Sequence, residues 1–146
     1  EQLFYNLNTT GAVLSPFDSY QLIRGLKTLS LRMERSTANA QEIVAYLEDS
    51  PAVKEVLYTG LGGMISFKVV DESRIPHILN SLKVFSFAES LGGVESLITY
   101  PTTQTHADIP VEVRHSYGLT DDLLRLSIGI EDARDLIADL RQALEG

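Results

Sequence analysis

The chain contains no cysteine. A disulfide framework, a thiolate zinc site and a cysteine nucleophile are therefore excluded. It is also poor in cations, with 12 Lys and Arg against 20 Asp and Glu, for a net charge of −8. The basic residues are scattered, whereas nucleic-acid phosphates require them clustered, so no nucleic-acid partner is expected. No apolar run approaches the roughly 20 residues that a membrane span needs, and no basic-then-apolar signal opens the chain. No membrane partner follows, and a cytoplasmic location is the default. His77, His106 and His115 lack metal-ligand spacing, so no metal site is expected. What is present is 146 residues, 44% hydrophobic and 22% charged, a size and balance suited to one soluble domain with a real core. The chain opens Glu1-Gln2-Leu3-Phe4-Tyr5 with no initiator Met, inside what reads as an amphipathic segment, so a piece of a longer protein is expected.

Along the chain, residues 1 to 14 are mixed. Ser15-Pro16-Phe17-Asp18 is a helix start, with serine as cap, proline at the first helical position and aspartate in the first turn. Gly25 predicts a bend or break. A second helical stretch runs from about Leu29 to Leu47, where Met33, Thr37, Ala40, Val44 and Leu47 form one face. Val53–Tyr58 and Met64–Val70 read as strands joined by the glycine turn Thr59–Gly63, an antiparallel hairpin. Asp71 to Leu82 reads as a helix capped by Asp71, with Pro76 in its first turn and Ile75, Ile78, Leu79 and Leu82 inward. Residues 101 to 123 are irregular, with a helical piece near Pro110 to Tyr117. Leu123–Gly129 is a strand. Ile130 to Leu144 is a closing amphipathic helix, with Glu131 and Asp132 in its first turn and Ala133, Leu136, Ile137, Leu140 and Leu144 inward. The fold class is α+β: a small, mostly antiparallel sheet of about four strands, helices packed on one face, preceded by a long helical segment.

The stretch Val84 to His106 organises the rest. Val84-Phe85-Ser86-Phe87 reads as a short strand, and Ser90-Leu91-Gly92-Gly93 interrupts it with a glycine turn. Leu97-Ile98-Thr99-Tyr100 is a second extended piece closed by Pro101. Polar side chains beside exposed backbone N–H groups at a sheet end suit a carboxylate or phosphate; a glycine pair that only turns the chain is the alternative. Arg125 sits inside the apolar strand Leu-Leu-Arg-Leu-Ser-Ile. A buried guanidinium needs an anionic partner, and its planar fork suits a carboxylate. That partner is either an internal Asp or Glu or a bound ligand.

The run Ala88-Glu89-Ser90-Leu91-Gly92-Gly93-Val94-Glu95-Ser96-Leu97, followed by Thr105-His106, resembles the pyridoxal-phosphate-dependent enzymes of cysteine and methionine metabolism, the cystathionine γ-synthase, γ-lyase and β-lyase group. Three further stretches carry the same resemblance in order. They are Gly11–Asp18, the run Arg24–Leu29 with Arg32-Met33, and Leu124–Asp132. The resemblance implies the C-terminal domain of a fold-type I pyridoxal 5'-phosphate enzyme. Residues 1–14 would be the remnant of the connection from an absent N-terminal PLP-binding domain, and residues 15–146 the substrate-side domain. In the whole enzyme it implies elimination or replacement on sulfur amino acids or homoserine esters, a small amino-acid substrate, and a homo-oligomer of tetrameric habit.

Two departures accompany it. The family's Schiff-base lysine lies in a Ser-x-Thr-Lys context, and none of Lys27, Lys54, Lys68 and Lys83 matches, so no catalytic or cofactor-binding residue is expected in this fragment and the chain alone is expected to be inactive. The connection between Tyr58 and Gly62 is shorter than is usual in the family. By resemblance, Arg125 holds the substrate α-carboxylate and Ser90 lies beside it. Glu89 lies near the substrate's distal end, where an acid resembles the γ-synthase and γ-lyase branches, and Thr105 lies near the active-site mouth. The bland readings are a turn hydroxyl for Ser90, a solvated carboxylate for Glu89 and a loop cap for Thr105. For the chain as a whole the alternative is a non-catalytic amino-acid-binding or oligomerisation module.

Overall fold

The hydroxyl of Ser15 accepts the Asp18 amide at 3.1 Å and Pro16 takes the first helical position, so the chain enters its second helix as the sequence predicts. In the computed structural model, which describes all 146 residues, helix α1 spans Gln2–Thr10, α2 Pro16–Leu26 and α3 Leu29–Asp49. Gly25 stays within α2, and the break comes two residues later, at Lys27 and Thr28. Residues 1–31 and 32–146 form two compact units. The first buries no residue of α1 or α2, and Leu3, Phe4 and Phe17 are 86%, 73% and 68% exposed.

The second unit carries a sheet of five strands: β1 Val53–Leu57, β2 Met64–Val69, β3 Ser86–Phe87, β4 Leu97–Thr99 and β5 Leu123–Ser127. Their order is β1-β2-β5-β4-β3. All pairs are antiparallel except β3 with β4, which run parallel. The expected hairpin is β1 and β2, with one irregularity in register between Val53 and Glu55. The sheet has five strands against the expected four or so, and the strand read at Val84–Phe87 shrinks to β3, only two residues long. Asp71 caps a short 3₁₀ turn, Glu72–Arg74, by accepting the Ser73 amide at 3.0 Å, and α4 follows over Ile75–Ser81. Helix α5 spans Val111–Ser116 and α6 Ala133–Glu145.

Strand alternation decides which sheet face is covered. Ile65, Phe67 and Val69 of β2, Leu124 and Leu126 of β5 and Ile98 of β4 join Ala40, Ile43 and Leu47 of α3, Ile75 and Ile78 of α4, and Leu136, Leu140 and Leu144 of α6 in one core. Each fully buried side chain of this size contributes about 1.5–3 kcal/mol. Surface pairs such as Lys54 with Asp122 contribute about 0–1 kcal/mol, so the core holds the sheet. The opposite face carries Ser66 and Arg125.

Two helix faces differ from expectation. The buried stripe of α3 is Ser36, Asn39, Ala40, Ile43 and Leu47. Met33 and Val44 lie at its margin, because two small polar residues occupy the stripe where hydrophobic spacing cannot reveal them. Helix α6 starts three residues later than predicted. Asp132 is its cap, accepting the Arg134 amide at 2.9 Å, and Glu131 lies outside the helix.

The Arg134 guanidinium and backbone N–H together hold the exposed Asp132 carboxyl well below the usual carboxylate range. A depressed carboxylate contributes stability that is present above its unfolded pKa of about 4 and is lost as pH falls toward its folded value. Asp132→Asn should be less stable than the parent at neutral pH. The gap should narrow between about pH 5 and about pH 2, as read by urea unfolding across that range; a gap that widens on acidification contradicts the assignment.

Candidate functional site

The site is built from the segment joining α4 to β4. Asp139 of α6, 5% exposed, aims its carboxylate at three successive backbone amides, Lys83 at 2.9 Å, Val84 at 2.8 Å and Phe85 at 3.0 Å. This fixes how the chain enters β3. The turn from Ala88 to Ser96 is then tied down along its length. The Thr99 hydroxyl donates to the Ala88 carbonyl at 2.7 Å, and Ser127 Oγ accepts the Gly92 amide at 2.8 Å. The Val94 carbonyl accepts the Ile130 amide at 2.9 Å. The Glu131 carboxylate accepts the Ser96 amide at 2.6 Å and its hydroxyl at 2.8 Å. Ser96 Oγ in turn accepts the Gly129 amide at 2.9 Å. Asn39 of α3 closes the node, its amide donating to the Gly129 and Glu131 carbonyls at 3.2 and 2.8 Å.

Two glycines make this geometry available. Gly92 adopts φ 75°, a left-handed conformation. A side chain at Gly129 would collide with the Val94 carbonyl. The turn is not a free amide cradle, however. The sequence suggested backbone N–H groups open to a ligand at this turn, whereas those of Gly92 and Ser96 are taken inward by Ser127 and Glu131.

Arg125 stands at the centre of β5, with Ser66 of β2 and Thr99 of β4 as its cross-strand neighbours. Its Nη2 donates to the Thr99 hydroxyl at 3.3 Å and to the Glu89 carbonyl at 3.4 Å, both long. Its Nε is buried without a partner. The ion pairs of the unit run from Lys54 to Asp122, Lys68 to Glu55, Arg114 to Asp121 and Arg134 to Asp132, and Arg125 belongs to none. The internal counter-ion that a buried arginine ordinarily takes is therefore missing.

Glu89 reaches Arg125 through its backbone carbonyl, while its side chain is exposed. Ser90 follows it, exposed. Thr105 stands apart. Its hydroxyl pairs with His106 Nδ1 at 2.7 Å and shares no hydrogen bond with the Arg125 group. A cavity of about 180 Å³ lies beside the glycine turn, lined by Met33, Leu61, Leu91, Gly92 and Ser127 among others, but Arg125 and Ser90 are not in its wall.

The profile of the Cys/Met metabolism PLP-dependent enzymes matches residues 1–145. The chain belongs to that family. It is 56% identical over 144 residues to a cystathionine gamma-synthase/O-acetylhomoserine (thiol)-lyase of Bacillus subtilis, covering 99% of this chain and 39% of the relative. Identity to a cystathionine gamma-synthase of Haemophilus influenzae is 55% over 143 residues, covering 98% of this chain and 39% of that protein. Among solved structures, a cystathionine gamma synthase from Xanthomonas oryzae in complex with aminoacrylate and cysteine superposes with a TM-score of 0.90 at 40% identity, over 99% of this chain and 42% of its own. The chain thus spans about two-fifths of the length of the relatives it matches.

The residues of this chain do not fit the role of cofactor anchor for this PLP-dependent family. Lys68 is engaged with Glu55 at 2.7 Å and Lys54 with Asp122 at 3.1 Å. Neither Lys27 nor Lys83 belongs to the hydrogen-bonded group around Arg125.

Sequence reasoning missed Thr99, Ser96, Ser127, Asn39, Glu131 and Asp139 as members of this assembly. Thr99 was accessible in principle, since pairing β4 with β5 by hydrophobic alternation puts it opposite Arg125. Asp139 was a carboxylate three positions after the inward Leu136 of an amphipathic helix, a spacing that puts it on the same face. The others depend on contacts between residues more than 30 apart.

Removing the Asp139 carboxylate strands three backbone amides. Asp139→Ala should cost about 3 kcal/mol in urea unfolding. An unchanged midpoint would show that water replaces the carboxylate at no cost.

Proposed function

We propose that this chain is the substrate-side domain of a trans-sulfuration-type enzyme, and that Arg125 receives the α-carboxylate of its amino-acid substrate. The observation that carries the reading is the guanidinium itself. It lies mid-strand with no acidic partner, its Nε is buried and unpaired, and its remaining bonds are long. A half-buried cation without a counter-ion is poorly compensated, and a planar carboxylate supplies both charge and geometry. On this reading, and by the family resemblance, Ser90 would lie beside the carboxylate and Glu89 near the substrate's far end; Thr105, which pairs with His106 and not with the Arg125 group, would act only near the mouth.

Pyridoxal phosphate supplies an electron sink for elimination or replacement at the β or γ carbon. The work of this chain is to bind and orient. Seating the carboxylate on Arg125 fixes the substrate's α-carbon against a rigid sheet, so that orientation is prepaid. The rest of the enzyme would supply the cofactor and its lysine. The assembled enzyme is a cytoplasmic homo-oligomer.

Within the family the γ-synthase and thiol-lyase branch is favoured. The Bacillus subtilis and Haemophilus influenzae relatives align over 144 and 143 positions. A Bacillus subtilis cystathionine gamma-lyase needs 161 positions to cover 99% of this chain, at 48% identity, so that lyase carries residues this chain lacks. The Tyr58–Gly62 connection is tight, with the Tyr58 hydroxyl donating to the Gly62 carbonyl at 2.9 Å.

Arg125→Ala in the full-length enzyme should raise KM for its amino-acid substrate about a hundredfold, the loss of a bidentate charge pair. A change under about threefold would contradict the carboxylate role. The chain by itself, given pyridoxal phosphate and cystathionine, should release no thiol or ketoacid above the free cofactor. Protein-dependent turnover would show that it holds a complete site.

A further inference from the structure

Thr99 is 1% exposed, yet it is a polar residue in a strand whose other members are Leu97 and Ile98. Its hydroxyl has one hydrogen, and that hydrogen is spent on the Ala88 carbonyl at 2.7 Å. Only its lone pairs are left to face Arg125, whose Nη2 lies 3.3 Å away. The direction of this relay is therefore fixed: the guanidinium donates to Thr99, and Thr99 donates to the turn. The same Nη2 also donates to the Glu89 carbonyl, one residue beyond Ala88. The cation on β5 is thus tied to both residues of the Ala88-Glu89 step that precedes Ser90, to Ala88 through the Thr99 hydroxyl and to Glu89 directly. Ser66, the neighbour on the other side of Arg125, makes no hydrogen bond to it and offers no equivalent hold.

We infer that Thr99 is a positioning residue. It sets the angle of the Arg125 guanidinium, leaving Nη1 for a ligand carboxylate, and locks the Glu89-Ser90 turn to that angle. The inference rests on the proposed carboxylate role of Arg125 and adds a determinant of how strongly the carboxylate is held. An isosteric valine keeps the packing of the strand but removes both bonds. A serine keeps both.

The test uses the full-length protein loaded with pyridoxal phosphate. Dissociation constants for L-serine and for its decarboxylated counterpart ethanolamine are read from the cofactor's absorbance. Thr99→Val should weaken L-serine about tenfold, the loss of one hydrogen bond to a charged group, and leave ethanolamine within about twofold. Thr99→Ser should match the parent for both. In the Arg125→Ala background, Thr99→Val should have no further effect on L-serine. The inference is overturned if Thr99→Val leaves L-serine unchanged, weakens both ligands equally, or adds its full effect in the Arg125→Ala background. If Arg125→Ala itself leaves L-serine unchanged, it is the carboxylate role that fails. If Arg125→Ala weakens L-serine and Thr99→Val does not, the failure belongs to Thr99 alone. Should the valine variant not fold, Thr99→Ala carries the same comparison.

Discussion

A guanidinium held in the middle of a strand without a counter-ion is the constraint around which this domain is arranged. Arg125 occupies the polar face of β5, while Leu124 and Leu126 on either side of it are sealed in the core. The alternation of the strand gives the charge no route into the core and holds it at the boundary between sheet and solvent. The neighbouring positions of β2 and β4 present hydroxyls, not carboxylates. A cation so placed has its orientation set by the protein and its charge left uncompensated, which is the condition for binding an anion tightly.

The second requirement is a rigid turn beside it. Strand β3 is two residues long, too short to hold the Ala88–Ser96 segment by its own ladder. The holding is done by side chains from elsewhere: Asp139 at the entry, Thr99 and Ser127 in the middle, Glu131 at the exit. Two of these acceptors are carboxylates taking backbone amides, the stronger class of hydrogen bond. Several are contributed by β5 and the chain just after it. Arg125 and two of the residues that hold the adjoining turn, Ser127 and Glu131, thus lie within one short stretch of chain.

Much of this was legible in the sequence. The Ser15 cap, the β1–β2 hairpin and the inward faces of α4 and α6 follow from local chemistry, which needs no knowledge of distant residues. Arg125 was legible because a lone charge in an apolar strand is anomalous on its own terms. Family resemblance supplied the glycine turn's neighbours Glu89 and Ser90. The polar clamp was not legible. Asn39 and Ser36 sit in a helix stripe that hydrophobic periodicity assigns to apolar residues. Glu131 read as a first-turn helix residue, because acids there favour the helix dipole, whereas its carboxylate instead closes a contact with Ser96, 35 residues away. The same contacts correct one expectation about the turn, since its Gly92 and Ser96 amides are taken inward by Ser127 and Glu131.

The most direct test is a crystal structure of the full-length enzyme with pyridoxal phosphate and L-serine bound. The account predicts the serine carboxylate seated on Arg125 with two N–O contacts of about 2.7–2.9 Å, and the Ala88–Ser96 turn unmoved. A carboxylate held by another cation, with Arg125 turned onto an acidic side chain of the upstream domain, would contradict it.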